Sequence, residues 1–330
     1  MNDRQKGDPT AFLILRQSFR MFVIMRDRLE YIGYIFIGWL VRLMPWEAVN
    51  RFGAILGSVV FYAIPIRRSL TLDQLRKAFP QKSSAEIKEI AVAAYRNIVI
   101  SLLEVFWFSH LTADKIKKIV SMPDTSVMDA RLKEGKGLIM LGGHFGNWEL
   151  IAIAVGLISQ HPLTIIVQRQ RNRFVDAFMN KNRMLFGNKV VEMERAPREI
   201  IATLRNNGVV AILADQSGPQ EGLFVNFFGR PASTHRGPAV FSVRTGAPII
   251  MAFIIRGADG FYRVEFEEVD TRNVSGTDDE KVEQITARHV AMLEKYASRY
   301  PDHWLWMHKR WKHSPPVNSL TDEKVHASAR

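Results

Sequence analysis

The chain has 330 residues, 47% of them hydrophobic, enough to bury a substantial core as one large domain or two modest ones. Lys and Arg total 45 against 33 Asp and Glu, a formal charge of +12, which favours an acidic partner such as nucleic acid, anionic lipid or an acidic carrier protein without choosing among them. There is no cysteine, so a disulfide, a thiolate metal site and a cysteine nucleophile are excluded, and any chemistry must rest on other groups.

In chain order, Arg16, Arg20, Arg26 and Arg28 form a basic flank before an apolar run from Tyr31 to Val41 that stops at Arg42. A second run, from Phe52 to Ile66, stops at Arg67. Each is shorter than the ~20 apolar residues that span a bilayer. The first reaches across if Leu43 and Met44 are included and Arg42 snorkels, and the alternative is a pair of buried core helices. No removable signal peptide is expected. From Ser83 the segment SSAEIKEIAVAAYRNIVISLLEVFWF reads as a long helix with Ser84 as a possible cap. After Gly135 short β-rich runs (GLIMLG, LTIIVQ, NKVVEM, GVVAILAD, APIIMAFII, FYRVEFEEV) alternate with helical patterns at 147–158, 172–186 and 197–206, the signature of an α/β sheet. Ala258, Asp259 and Gly260 form a plausible hairpin between the last two strands, so a mixed sheet is expected. A final helix is expected from about Asp279 to Arg299, then a polar, disordered tail. The organisation read from this is a membrane-associated segment at 1–66, a catalytic domain at 67–316 and a tail at 317–330.

The segment GLIMLGGHFGNWELIAIAVG carries the chemistry: a buried strand ends at two glycines and the chain turns into an apolar helix, with His144 on the turn. On an uninterrupted helix His144 and Glu149 would stand ~140° apart and would not face each other. With His144 in a non-helical turn, the glycines at 142, 143 and 146 let the imidazole fold back toward the carboxylate. A His paired with a carboxylate makes a general base near neutral pH, although a histidine packed at a strand end would account for the same residue. There is no G-x-S-x-G elbow and no H-E-x-x-H pattern, so direct attack by a substrate hydroxyl fits better than a serine or zinc mechanism.

H-F-G-N-W-E resembles the His-x4-Glu/Asp motif of the lysophospholipid acyltransferase superfamily, and GGHFGNWEL is similar to the lipid A late acyltransferases and their relatives that acylate phosphatidylinositol mannosides. Further matches follow in order: LRKAFP at 75–80, IVQRQRN at 166–172, LADQSG at 213–218, VNFFGRPA at 225–232, RTGAPII at 244–250 and YPDHWLWMHKRWK at 300–312. The resemblance runs from about residue 20 to 313. It implies a glycerolipid-acyltransferase-like mixed α/β sheet flanked by helices, His144 as base with Glu149 as its orienting partner, an acyl-[acyl carrier protein] donor, a lipid acceptor such as a lipid A precursor, an anionic lipid surface at the cytoplasmic face of the bacterial inner membrane, and no cofactor or metal. Arg169 falls in the second block, where a cation binds an acceptor phosphate or stabilises an oxyanion; Asp215 falls in the third block, and Asn147 lies beside the helix start whose amides serve developing charge. An ion pair between Asp215 and Arg169 would equally explain both. His235 and Arg236 stand where relatives have small hydroxylated residues. Trp304, Trp306, Arg310 and Trp311 suit a lipid–headgroup interface, or else a core-packing helix with a basic face. His303, His308 and His313 read as surface or packing residues. Nucleic-acid binding is not expected, because its motifs are absent and the positive charge is spread along the chain.

Overall fold

The computed structural model describes residues 9–122 and 124–314, with side chains from residue 21 onward; the expected tail lies outside the described residues. The front end is helical: α1 (Pro9–Arg42), α2 (Trp46–Ala63), α3 (Arg68–Ala78), α4 (Ser84–Glu104) with a 3₁₀ turn at Val105–His110, α5 (Ala113–Ile119), the two-residue strand β1 (Val120–Ser121) and α6 (Ser126–Leu132). α4 starts one residue earlier than the sequence suggests. Ser83 is the N-cap, its hydroxyl accepting from the Glu86 N–H while the Glu86 carboxylate accepts from the Ser83 N–H, a reciprocal capping box.

α2 buries Trp46, Val49, Gly53, Gly57 and Phe61 on one face and exposes Phe52, Ile55, Val59 and Tyr62 on the other. The two glycines let it lie directly on α4: a Cβ at Gly53 would sit 2.8 Å from Ile100, and one at Gly57 2.6 Å from the Arg96 Cα. The second apolar run is therefore half core helix and half exposed apolar surface. The first run ends α1, which leaves Phe22, Met25, Leu29, Ile32, Phe36 and Trp39 exposed. α1 also carries Arg26, Asp27, Arg28 and Glu30 within its length. Among the described residues, the single helical stretch long and apolar enough to cross a bilayer is Ser84–His110, rather than the expected Tyr31–Met44, and α2 and α3 pass together only as a pair bent by 98°. Ile87, Ala91, Ala94 and Tyr95 on that stretch are packed in the protein core.

The remaining elements are β2 (Leu138–Gly142), α7 (Trp148–Ile158), β3 (Leu163–Val167), α8 (Arg173–Arg183), β4 (Lys189–Glu192), α9 (Ala196–Arg205), β5 (Val209–Leu213), β6 (Leu223–Phe227), β7 (Arg230–Thr234), α10 (Gly237–Thr245), β8 (Ile249–Arg256), β9 (Tyr262–Val269) and α11 (Asp278–Arg299). Seven strands form one sheet in the order β1-β9-β8-β2-β5-β3-β4, parallel except for the β8–β9 hairpin. The expected mixed α/β sheet flanked by helices is present. β6 and β7 pair separately as a hairpin whose turn places Phe228 and Gly229 at positive φ; the sequence reading passed over both strands because Phe-Gly is not one of the usual hairpin turn pairs.

β2 is the central strand. Its alternate residues feed two different cores: Ile139 and Leu141 join one cluster, Leu138 and Met140 the other. A strand with both faces covered by helices has no polar side to show, which is why GLIMLG reads as a continuous apolar run. The chain leaves β2 through α7 to β3, returns to β5 between them, and later adds β8 on the opposite side of β2. The order of the sheet thus reverses at β2, the place where open α/β sheets form crevices at the carboxyl ends of their strands.

Gly57→Ala should therefore lower stability by about 1–3 kcal/mol, because its methyl group meets backbone that cannot yield. Gly33→Ala, with nothing within 4 Å of its Cβ, should not. Thermal melts of the two detergent-solubilised variants separate the cases, and equal melting temperatures would remove the close α2–α4 packing.

Candidate active site

The register of two strands builds the site. Gly142 of β2 pairs with Leu213 of β5, so two residues beyond each strand His144 and Asp215 stand level with one another. His144 Nδ1 lies 2.8 Å from Asp215 Oδ1, and the His144 backbone N–H donates to Asp215 Oδ2, also at 2.8 Å. Trp304 Nε1–H donates to the same Oδ2 at 2.9 Å. Asp215 is only 4% exposed, and the three donors replace the water it has lost. An ionised carboxylate accepts only, so Nδ1 carries the proton and the lone pair falls on Nε2, which makes no hydrogen bond among the described residues. The imidazole side chain is 22% exposed, and Trp148 packs against it edge to face at 5.2 Å.

Burial disfavours protonation of His144, but the charge of Asp215 and the hydrogen bond to it outweigh that and hold the imidazole pKa above its ordinary value, with Glu149 acting in the same direction. Burial of Asp215 would by itself raise its pKa; His144, through its charge and two hydrogen bonds, together with Trp304, brings it down to about 2. The carboxylate of the pair thus stays ionised throughout the physiological range, an arrangement that can serve as a general base.

This corrects the expected dyad. The partner on Nδ1 is Asp215, 71 residues away, and not Glu149. Glu149 sits in the first turn of α7 and is held by Arg183 of α8 in a bidentate pair, with Nε to Oε2 at 2.8 Å and Nη2 to Oε1 at 2.6 Å. Arg183, which the sequence reading did not single out, is nearly buried, and its fork matches both carboxylate oxygens of Glu149. Asn147 is not aimed at substrate either: it caps α7, its Oδ1 accepting from the Leu150 N–H, and its amide donates to Glu104 at 2.7 Å. Arg169 does not pair with Asp215; it is exposed and bound to Glu192 at 2.6 Å.

The expected lipid contacts at Trp304, Trp306, Arg310 and Trp311 are corrected as well. All four side chains are buried. Trp306 packs on Phe79, Phe228 and Trp304, and Arg310 donates to Thr234 Oγ1 at 2.7 Å and lies over the Phe227 ring. This C-terminal segment is an internal strap behind the catalytic turn. The Leu305 N–H donates to the His144 carbonyl at 3.0 Å, and the Gly146 N–H donates to the His303 carbonyl at 2.8 Å. Gly146 has φ +56°, and a Cβ there would collide with the Ile254 carbonyl, so the turn requires glycine twice over. His303 and His308 are packing residues with defined partners, His303 Nε2 accepting from the Arg256 N–H and His308 Nε2 from the Ser217 N–H.

Residues 18–313 match the family described as bacterial lipid A biosynthesis acyltransferase. The chain belongs to this family. Among its relatives, a lipid A biosynthesis palmitoleoyltransferase of Escherichia coli is 24% identical over 301 residues, covering 90% of this chain and 95% of that one. A phosphatidylinositol mannoside acyltransferase of Mycolicibacterium smegmatis is 25% identical over 306 residues, 89% of this chain and 93% of its own. A lipid A biosynthesis lauroyltransferase of Escherichia coli is 24% identical over 283 residues, 84% and 89% of the two chains. The protein is an acyltransferase of this family.

Asp215→Asn should lower the transfer rate by about 10² or more, since a neutral amide neither stabilises the imidazolium nor enforces the Nδ1–H tautomer. A base works deprotonated, and Asp215 raises the His144 pKa; removing that charge should move the acidic limb of the rate profile to lower pH. A limb that stays in place, or moves up, would detach Asp215 from the titrating group.

Proposed function

We propose that the protein transfers a fatty acyl chain from an acyl-[acyl carrier protein] thioester to a hydroxyl of a lipid A precursor, with His144 as general base. The observation that carries this reading is the unbonded Nε2 of an imidazole locked to Asp215 at the carboxyl ends of β2 and β5, in a chain of an acyltransferase family. His144 Nε2 takes the proton of the acceptor hydroxyl as its oxygen attacks the thioester carbonyl. The C–O bond forms, the carbonyl oxygen becomes the oxyanion, and collapse expels the thiolate, which recovers the proton from the imidazolium. Asp215 holds the ring and stabilises its positive charge. Glu149, anchored by Arg183, adds negative charge near the imidazolium without touching it. The Trp148 and Glu149 amides, at the start of α7 and outside its intrahelical bonding, are suited to the oxyanion. Arg169, exposed beyond β3, is suited to an acceptor phosphate.

A second acceptor class, a glycosylated phosphatidylinositol, is favoured by the similarity to the mycolicibacterial relative over nearly the whole chain. Both acceptors are amphiphiles embedded in a bilayer, and the exposed apolar residues of α1 and α2 give the protein a surface that meets one. We place that surface at the cytoplasmic face of the inner membrane, the side on which positively charged segments such as the one before Tyr31 are retained.

The test is acyl transfer by the purified protein, offered acyl carrier protein or coenzyme A thioesters and either a lipid A precursor or a phosphatidylinositol mannoside, with product mass read by mass spectrometry. His144→Ala should lose on the order of 10² to 10⁴ in rate while remaining folded. Near-normal turnover by that variant would remove His144 from the mechanism, and transfer from coenzyme A alone would sink the carrier-protein donor.

Membrane attachment has its own test. Attraction between basic side chains and lipid headgroups is screened beyond about one Debye length, whereas burial of apolar surface is not. The full chain should stay in the membrane pellet after a high-salt wash and need detergent for release, and a chain lacking residues 1–44 should become salt-extractable. Release of the intact chain by salt alone would mean that α1 and α2 do not insert their exposed faces.

A further inference from the structure

Beneath the His144 turn lies a buried carboxyl group that the acyl-transfer scheme leaves unused. Glu104, the last residue of α4, is fully buried. Three donors from three other elements converge on its Oε2: the Asn147 amide at 2.7 Å from the start of α7, the Tyr262 hydroxyl at 2.5 Å from β9, and Arg256 Nη2 at 3.2 Å from β8. Its Oε1 is buried and has no hydrogen-bond partner among the described residues. Arg256 in turn holds Asn97 and Ser101 of α4. A buried ion pair is a poor source of net stability, and apolar residues of the same volume often do as well. What such a network supplies is a single geometry, so what it touches decides its purpose.

It touches the His144 turn at consecutive residues. Asn147 is engaged at both ends of its amide, with Oδ1 capping α7 through the Leu150 N–H and Nδ2 on Glu104. Gly146 is gripped from both sides: its N–H donates to the carbonyl of His303, whose ring accepts from the Arg256 N–H, and its carbonyl lies 3.4 Å from the Ser101 hydroxyl that Arg256 also holds. Asp215 determines where the imidazole points. The position of the backbone that carries the imidazole is set two and three residues later.

We propose that Glu104 is a positioning residue for His144, anchoring Asn147 and thereby the turn that presents Nε2 to the acceptor hydroxyl. The inference rests on His144 being the base. Misplacement of a catalytic group by about 1 Å costs on the order of 10² in rate, so loss of the anchor appears in kcat rather than in substrate binding.

Two variants isolate the anchor in the full-length protein, assayed with acyl-[acyl carrier protein] and a lipid A precursor. Asn147→Ser keeps a good cap for α7 but falls short of Glu104, and Glu104→Leu removes the acceptor. Each should lower kcat per folded molecule about 100-fold at unchanged KM and alter the His144 ring ¹⁵N resonances; Asn147→Ser should do so with little change in melting temperature. Combining the two should add little to the loss in Glu104→Leu alone, because the Asn147–Glu104 bond is one of the three that substitution already breaks. The pair Glu104→Gln with Arg256→Met, which retains a carbonyl acceptor for Asn147 and strands no charge, should recover kcat to within a few fold. Wild-type kcat in Asn147→Ser would overturn the proposal whether or not Glu104→Leu folds, as would a Glu104→Gln/Arg256→Met protein as slow as Glu104→Leu. His144→Ala measured alongside separates the two ideas: if it is active the base assignment fails, and if it is inactive while Asn147→Ser is normal only the positioning role of Glu104 fails.

Discussion

The hydrogen-bonded contact between His144 and Asp215 ties the rest of the molecule together. It joins the ends of two parallel strands, and a buried carboxylate can remain ionised there because three donors are aimed at it. Trp304 must reach in from the C-terminal segment, so that segment is interior rather than peripheral. The turn after β2 must bring the His144 N–H and Nδ1 to the same carboxylate, so Gly146 adopts a left-handed conformation against the Ile254 carbonyl. β5 must lie next to β2, so the chain reverses its direction of strand addition there. Each of these features has a separate local cause, and they meet at one carboxylate.

A second constraint comes from the helical front end, which serves two environments. α2 lays Gly53 and Gly57 against α4 and turns Ile55, Val59 and Tyr62 outward, while α1 reaches the catalytic domain through Tyr34, which packs on Phe106 and Phe178, and through Asn172, whose amide donates to the Asp27 carbonyl at 2.8 Å. α8, capped by that asparagine, ends at Arg183 on Glu149. The apolar surface and the catalytic turn are thus connected through one short, rigid helix.

The two acidic residues near His144 illustrate how environment divides roles between like groups. Asp215 is buried, aligned with Nδ1 and depressed in pKa, which makes it the orienting and charge-stabilising partner. Glu149 is held by a bidentate arginine and acts on the imidazole only through space. The spacing of the sequence motif therefore records two features that lie close together in the chain, a base on a turn and a charge in the first turn of a helix, without recording a bond between them.

What the sequence by itself determined is what depends on neighbours in the chain. The six β-rich runs, the helices between them, the β8–β9 hairpin, the long helix after Ser83 and the placing of His144 on a glycine-rich turn all follow from periodicity, capping and turn chemistry, which act over a few residues. The family motifs also pointed to Asp215 as part of the site, though not to its role. Only the tertiary structure decided which carboxylate meets the imidazole, because that is a matter of strand register: Gly142 opposite Leu213 levels residue 144 with residue 215, and no local pattern encodes a pairing across 71 residues. It likewise decided that Trp304, Trp306, Arg310 and Trp311 face inward. An aromatic and basic segment reads the same whether it lies on lipid or closes the back of an active site, since burial is a property of what packs around a residue and not of the residue itself.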